Sequence, residues 1–359
     1  MKNIKRVFAL ALVLVMALAV AACHPKDEVA VKIGDVEFSS AYYMCALINA
    51  DSEAKSRVQE ELSEDEASAD VDYYSKKLDD KDFVTWVEDT AMDSLKEIAA
   101  NKTLCKENNL EIPEEDLQNA ETYASYYWSS YGYSAYFEPN GVGQSTYTQY
   151  MKDSYYASVY FEHLYGEGGE KEIAADTVKT KMYDNFIVAD LLEVSFSEKS
   201  DDEITALKDK INGYAAELKN GKKTFEEVYK DYNGTTDEAE EEEENDTHED
   251  HPKDEYATIL GSSDTVYASE HYETVKAMAT GEVKVIELDD NAGLVLAVKQ
   301  DISADSYYLN TLDMTTRHLI ADEEYEKDIK EYAAKMECEV NDYAVKQFKV
   351  KKIVEPSAS

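Results

Sequence analysis

The chain has 359 residues, and its 77 Asp and Glu outnumber its 36 Lys and Arg, giving a formal net charge of −41. This charge excludes nucleic acid as an expected partner, because a phosphate backbone is bound by Lys and Arg. Since 43% of the residues are hydrophobic, the chain can bury a core and wholesale disorder is excluded. Only 13 Gly and 5 Pro indicate a helix-rich protein.

The first residues have the pattern of an export signal. A basic start at residues 2–6 precedes an uncharged run over residues 7–22, which is shorter than the roughly 20 apolar residues of a membrane span. The run leads into Val-Ala-Ala-Cys at residues 20–23, which resembles the bacterial lipobox. We therefore predict a lipoprotein signal peptide over residues 1–22.

The lipobox resemblance implies that Cys23 carries lipid and that residues 23–28 form a short tether. The expected location is the extracytoplasmic face of the bacterial cytoplasmic membrane. There the lipid would hold the protein, because an anionic surface repels a body of this charge. An ordinary secretory signal or a short uncleaved anchor is the alternative.

The remaining cysteines, Cys45, Cys105 and Cys338, are far apart and form no CxxC pair, so zinc and thioredoxin-like sites are not expected. A disulfide between any two of them is permitted outside the cytoplasm, and burial as small apolar residues is the alternative. The GxSxG, HExxH, P-loop and GxGxxG motifs are absent. We predict no metal site and no cofactor.

The first half of the chain is predicted to be mainly helical. A hairpin over residues 29–38 precedes a helix over 42–50 that is capped by a Ser at 39 or 40. Residues 51–82 are acidic and weakly periodic, which indicates a loop with helical pieces. Apolar residues spaced by three and four predict a helix over residues 84–98. Pro and acidic residues near residue 113 predict the start of the next helix, which leads into a Tyr-rich stretch over residues 123–137. Further helices are predicted over residues 145–164 and 176–185.

The pattern changes to mixed strands and helices in the middle and returns to helix near the end. An acidic low-complexity insert is predicted over residues 237–255. The strands are predicted over residues 188–194, 283–288 and 293–298, and the helices over residues 201–220, 225–232, 272–279 and 312–337.

This order predicts an α+β fold. A mainly helical domain would be formed by both ends of the chain, residues 29–184 with 303–354. A small antiparallel sheet with helices would be inserted between them, over residues 185–302.

Several segments resemble the parvulin-type extracytoplasmic foldases, the PrsA-like and SurA-like chaperones. The hairpin VAVKIGDVEFS and the segment LCKENNLEIPEEDL are similar to the family's N-terminal hairpin and its following helix start. In the inserted block, parvulin landmarks match at Gly221–Phe225, Leu260–Gly261, Tyr272–Glu273, Gly281–Val283 and Gly293–Leu296. The resemblance implies a helical chaperone domain and a parvulin-like domain. It also implies that the chain binds unfolded or nascent secreted proteins and forms a homodimer.

The catalytic positions of the family are changed here. Leu191 and Val295 stand where the resemblance implies two His, so the parvulin-like domain is expected to be degenerate. Isomerisation of proline breaks no bond and needs a site that binds the twisted amide better than the planar one. Ordinary core packing is the alternative for the residues that could still line an apolar slot, which are Phe225, Tyr272, Met278 and Val295.

Tyr is unusually abundant, with 28 Tyr against 9 Phe, and it clusters between residues 123 and 137. Tyr offers a large apolar area with a polar tip at a low entropy cost, which suits loose binding of unfolded segments. We therefore predict client binding at Tyr126, Tyr127, Trp128 and Tyr131, with structural packing between helices as the alternative.

Three functions follow as hypotheses. The first is a membrane-anchored foldase or chaperone that assists the folding of secreted proteins. The second is a peptidyl-prolyl isomerase with a rearranged pocket, so whether the chain is an enzyme is left open. The third is a non-chaperone binding lipoprotein, although the chain lacks the alternating strands and helices of two-lobed solute binders.

Overall fold

The computed structural model describes residues 28–62, 71–234 and 255–355. The predicted signal peptide and Cys23 lie outside the described residues, as do nearly all of the predicted tether and of the predicted acidic insert. None of the helices in the described ranges has the length and apolar character needed to cross a membrane.

The chain has an α+β fold that divides into two compact units. The terminal unit comprises Met1–Leu164 with Glu323–Ser359, and the inserted unit comprises Tyr165–Asp322. The sequence-based boundaries of the inserted domain, residues 185–302, stay a prediction.

The helices and strands follow one another in this order up to the end of the first helical region: β1 (Val29–Ile33), β2 (Val36–Ser39), α1 (Ser40–Glu60), β3 (Lys77–Leu78), β4 (Lys81–Asp82), α2 (Phe83–Glu107), α3 (Glu114–Ser130), α4 (Tyr133–Phe137) and α5 (Gln144–Tyr165). The rest of the chain continues with α6 (Ala175–Asn185), β5 (Phe186–Ser195), α7 (Asp201–Lys219), α8 (Phe225–Asn233), β6 (Ala257–Gly261), α9 (Tyr272–Lys276), β7 (Val283–Glu287), β8 (Gly293–Gln300), α10 (Ser306–Ala333), β9 (Cys338–Val340) and α11 (Asp342–Val345).

The predicted N-terminal hairpin is confirmed, and it is extended by a strand from the far end of the chain. β1 pairs antiparallel with β2 and with β9, which gives a three-stranded sheet in the order β2-β1-β9. The predicted cap of α1 is also confirmed, because the Ser39 hydroxyl accepts a hydrogen bond from the Tyr42 backbone N–H at 3.2 Å.

Helix α1 runs to Glu60, so the expected loop from residue 51 onwards was wrong at its start. Ala54 and Val58 continue the buried stripe of the helix. Asp51 is also fully buried in that stripe, and the Lys55 ammonium, one helical turn later, forms an ion pair with its carboxylate. Because the Lys55 ammonium balances the charge of the Asp51 carboxylate, the helix can continue through Asp51 although this residue is charged and buried.

Helices α1 and α2 carry most of the core of the terminal unit. The predicted stripe of α2 is confirmed, with Val87, Ala91 and Leu95 completely buried. Cys45 on α1 and Cys105 on α2 are buried free thiols, whereas Cys338 on β9 is an exposed free thiol. The expected burial as small apolar residues is therefore found for Cys45 and Cys105 but not for Cys338.

The last described residues form a strap across the terminal unit. The Asn140 side chain donates to the Val354 carbonyl at 2.9 Å and accepts from the Val354 N–H at 2.8 Å. Val350 and Ile353 are buried in the core, and Glu355 forms an ion pair with Lys55. The strap is therefore fixed by both its backbone and its side chains.

The inserted unit is built on a four-stranded antiparallel sheet in the order β6-β5-β8-β7. Helices α7 and α8 pack on one face of this sheet, where they meet Leu192 and Leu296. Helix α9 packs on the other face, where it meets Ala189 and Ala297. Successive side chains of a strand point to opposite faces of the sheet. Residues therefore alternate along each strand between the side covered by α7 and α8 and the side covered by α9.

Candidate binding surface

Helix α3 contacts the terminal unit along one narrow stripe. Ala120, Ala124 and Trp128 are its buried residues, and they are spaced by four positions, which places them on one face of the helix. The small side chains of the two Ala let the helix backbone approach the core closely. The opposite side of α3 is left open to solvent.

Both ends of α3 are set by local sequence. Pro113 occupies the N-cap, and the acidic residues Glu114, Glu115 and Asp116 lie in the first turn, where the helix dipole favours negative charge. Tyr131 forms the C-cap, and Gly132 follows in the left-handed conformation with φ of 73°. The side chain of Tyr131 is exposed at this turn, before α4 begins at Tyr133.

The open side of α3 carries four tyrosines, Tyr123, Tyr126, Tyr127 and Tyr131, which we call the tyrosine face. Tyr123, Tyr126 and Tyr131 are 51%, 52% and 62% exposed. The Tyr131 ring lies edge-on to Tyr126 and Tyr127, with ring centroids 5.3 and 5.4 Å apart. The rings of Tyr126, Tyr127 and Tyr131 thus form one contiguous patch in the geometry that aromatic pairs prefer, and Tyr123 lies one helical turn before Tyr127.

A buried aromatic cluster supports the tyrosine face from below. Trp128 packs against Phe137 and Tyr147, at centroid distances of 6.2 and 5.8 Å. Tyr133 links the two layers, because its ring stacks on Tyr127 at 5.5 Å and also contacts Tyr147 at 5.6 Å. The partly buried Tyr127, which the exposed rings of Tyr126 and Tyr131 contact, is therefore held by packed side chains.

The surroundings of the tyrosine face are acidic. Residues 107–151 contain no Lys or Arg. Lys152 on α5 forms an ion pair with Glu121 on α3. Burial raises the pKa of Tyr155 on α5, and so does the negative charge of nearby Asp116. The acidic residues in the range are Glu107, Glu111, Glu114, Glu115, Asp116, Glu121 and Glu138.

Of the four client-binding residues predicted from the sequence, the structure brings Tyr126, Tyr127 and Tyr131 together on the open side. Trp128 is only 7% exposed and belongs to the supporting cluster. Tyr123 was not among the four, although its spacing of four from Tyr127 and of eight from Tyr131 places it on the same side of the helix.

The four pocket residues predicted from the sequence do not share one site. Phe225 lies on the α7 and α8 side of the sheet, whereas Tyr272 and Met278 lie on the α9 side. Val295 is completely buried and, by alternation along β8, shares the α9 side with Ala297. All four are less than 9% exposed, so their surfaces are occupied by neighbouring side chains.

The α9 side of the sheet is mostly aliphatic at the positions where the family resemblance implies His. Leu191 is partly buried against Ala189, Tyr272 and Met278. The Tyr272 hydroxyl donates to the Asp184 carbonyl and accepts from the Lys276 ammonium, so it already has partners. The buried His271 lies 3.9 Å from a carboxylate oxygen of Glu193, the residue opposite Val295 in the strand register.

No group of three or more His, Cys, Asp or Glu that could hold a metal ion is present in the described part of the chain. In the same part, no disulfide joins the cysteines at 45, 105 and 338.

Comparison with solved structures finds a similarity to the foldase protein PrsA from Lactococcus lactis, at 11% identity and a TM-score of 0.37, over 88% of this chain and 96% of that chain. PrsA from Bacillus subtilis is similar at 12% identity and a TM-score of 0.32, over 72% of this chain and 89% of that chain. No protein-family model and no curated protein matches the chain.

Proposed function

We propose that this chain is a foldase or chaperone that holds unfolded or nascent segments of secreted proteins on the tyrosine face. Lipid on Cys23 would keep it at the extracytoplasmic face of the bacterial cytoplasmic membrane. The observation that carries the proposal is the patch of contacting rings formed by Tyr126, Tyr127 and Tyr131, in which Tyr126 and Tyr131 are exposed, with the exposed Tyr123 one helical turn before Tyr127.

An exposed aromatic patch of this kind is typical of a binding surface, because folded monomers expose few large contiguous apolar areas. Each Tyr ring offers apolar contact area, while its hydroxyl can accept or donate a hydrogen bond to a passing backbone. Such a surface contacts many different sequences, which is what a chaperone for varied clients needs.

The supporting cluster makes this binding less costly. The rings of the tyrosine face pack on one another and on Tyr133, so less side-chain entropy is lost when a client segment docks. The preformed patch therefore favours rapid, reversible contact with extended segments.

The inserted unit serves in this proposal as a spacer or secondary binding surface. The α9 side of its sheet has Leu191 and Val295 where acid–base groups would be expected, and its apolar side chains are packed. We therefore expect no acceleration of cis–trans isomerisation in a short X-Pro peptide at micromolar protein. Clear acceleration that is lost in Tyr272→Phe would make the isomerase with a rearranged pocket the leading function.

Suppression of aggregation tests the holding function. The purified protein should slow the aggregation of a chemically denatured secreted protein at near-stoichiometric ratio. The double variant Tyr126→Ser/Tyr131→Ser should need about fivefold more protein for the same effect, as expected for two contact residues of moderate weight.

The matched control is Tyr74→Ser/Tyr343→Ser, which removes two other exposed tyrosines, 36% and 72% exposed. It should behave as the unmodified protein. Equal loss in both double variants, or no suppression by the unmodified protein, would contradict the assignment to the tyrosine face.

Membrane attachment and assembly need their own tests. Replacement of Cys23 by Ala should release the protein from the membrane fraction and abolish incorporation of labelled fatty acid. A homodimer predicts a sedimentation mass twice that of the chain. A saturable thermal shift with a small solute, without suppression of aggregation, would favour the non-chaperone binding lipoprotein.

A further inference from the structure

The rings of the tyrosine face differ from those of eight other tyrosines in the described ranges, each of which has a Lys ammonium over its ring. Elsewhere a Lys ammonium lies 5.0 to 5.9 Å from a Tyr ring centroid, within the range of a cation–π interaction. The tyrosines covered in this way are Tyr73, Tyr74, Tyr156, Tyr165, Tyr183, Tyr214, Tyr232 and Tyr272.

In the described part of the chain, no Lys or Arg lies over Tyr123, Tyr126, Tyr127 or Tyr131. The local sequence explains this, because residues 107–151 supply no cation. Lys152, the first Lys after this range, is engaged by Glu121. The π faces on the open side of α3 are therefore available to a cation from outside the chain.

The charge around the patch favours the same kind of partner. The first turn of α3 carries Glu114, Glu115 and Asp116, and Glu138 follows α4. None of these four carboxylates has a Lys or Arg within ion-pair distance in the described ranges. An approaching cation meets attractive Coulomb energy as well as the negative ring faces, and a carboxylate-rich segment is repelled.

The dimensions indicate an extended segment. A helix of 17 residues such as α3 is about 25 Å long, and an extended chain covers that distance with seven or eight residues. One such segment could place a cationic side chain over the rings near Tyr126 and Tyr131 and another near Asp116.

We propose that the tyrosine face selects extended client segments that carry Lys or Arg among apolar residues, with the cationic side chains lying over the open Tyr rings. This selectivity rests on the proposed function and names the class of segment that the chaperone holds. Segments of the same apolar content that carry Glu or Asp would be bound weakly.

Binding of two fluorescent eight-residue peptides to the purified protein tests the selectivity. Both peptides have the same alternating apolar residues, and they differ only in carrying Lys or Glu at the polar positions. We expect the Lys peptide to bind at least about tenfold more tightly, which corresponds to about 1.4 kcal/mol, with an affinity that falls as salt is raised.

Two double variants separate the ring faces from the general negative charge of the protein. Tyr126→Phe/Tyr131→Phe keeps the π faces and should keep the preference for the Lys peptide. Tyr126→Leu/Tyr131→Leu keeps apolar side chains without π faces and should lower the preference severalfold. Both positions are exposed, so both variants should fold normally.

Each remaining outcome contradicts a different part of the proposal. An unchanged Lys preference in the Leu variant would assign the selectivity to net charge and overturn the role of the rings. Equal binding of both peptides together with suppression of aggregation would overturn the selectivity and leave the proposed function intact. No binding and no suppression would overturn the proposed function itself.

Discussion

Helix α3 and helix α9 both carry tyrosines, but these tyrosines are exposed on α3 and buried on α9. On α3 the tyrosines face solvent, whereas Tyr272 at the start of α9 is 2% exposed and hydrogen-bonded. The difference arises from what lies beneath each helix. Two Ala and a Trp attach α3 to its core, whereas Tyr272 itself attaches α9 to the sheet. The same residue type thus provides a binding surface in one region and core packing in the other.

The largest effect is expected where a Tyr forms part of the core. Tyr272→Ala should lower the free energy of unfolding by about 3–5 kcal/mol, because it leaves a cavity between α9 and the sheet. Urea unfolding measures this loss. The control Tyr272→Phe removes only the hydroxyl and should cost about 0.5–1.5 kcal/mol. A loss below 1 kcal/mol for the Ala variant would show that Tyr272 is a surface residue after all.

The pH dependence of stability gives a second test of whether a Tyr is buried, and Tyr43 of the terminal unit is suited to it. Burial raises the pKa of Tyr43 to about 12, with the charge of Glu88 adding to the shift, whereas the unfolded value is about 10. Because the folded pKa is the higher one, this contribution to stability is complete below about pH 10 and is lost as the pH rises through 12.

Urea unfolding at pH 9 and pH 11.5 tests this shift. Tyr43→Phe should lose about 2 kcal/mol less stability than the unmodified protein between these two pH values. Burial also raises the pKa of Tyr42, Tyr136 and Tyr147, so both proteins should lose further stability over the range. Identical losses in the two proteins would contradict the burial of the Tyr43 hydroxyl.

A smaller effect is expected at the turn that holds Tyr131 on the open side. Gly132 has φ of 73°, and an added Cβ would meet no atom within 4 Å, so Gly132→Ala should cost only backbone strain of about 1–2 kcal/mol. Thermal unfolding measures that cost, and suppression of aggregation should weaken with it. Gly143→Ala is a suitable control, since Gly143 has equal space and no positive φ. Equal melting temperatures for the two variants would contradict the strain.

The smallest change in stability is expected on the tyrosine face itself. Tyr126→Ala should alter the free energy of unfolding by no more than about 0.5 kcal/mol, because the ring is half exposed. The same variant should nevertheless weaken client holding. Differential scanning calorimetry and the aggregation assay on one sample separate the two effects. A large loss of stability would place Tyr126 with Tyr272 among the core residues.

Much of the fold could be predicted from spacing alone. The stripe Val87, Ala91, Leu95 and the strand alternation in β5 and β8 are strong because large apolar residues recur at a regular period. Helix α1 was harder to predict, because Asp51 interrupts its buried stripe. The buried carboxylate of Asp51 has partners in the ammonium of Lys55 and the hydroxyl of Tyr136, and the sequence does not show these contacts. Strand β9 has three exposed residues, and only its distant partner β1 makes it a strand.

The candidate sites show the same limit. On α3 the sequence analysis assigns Trp128 to client binding together with the Tyr residues, but Trp128 is buried, and the small Ala120 and Ala124 on the same buried face give little signal in the sequence. In the inserted unit, the motifs indicated that Phe225 and Tyr272 could share a slot, but the sheet separates them. Exposure and the assignment to a sheet face depend on tertiary contacts, which spacing along one helix does not contain.

The pairing of β1 with β9 has a consequence for the order in which the molecule is made. Val31 is joined to Val340, and Asn140 to Val354, so the terminal unit lacks essential partners until its last segment has been synthesised. The inserted unit is continuous in sequence, and all strands of its sheet are available earlier. Because a protein is synthesised from its N-terminus, the inserted unit can fold before the terminal unit is complete. Until β9 has been synthesised, one edge of β1 has no strand to pair with. Through most of its own synthesis, the terminal unit is therefore in the same condition as the segments it is proposed to hold.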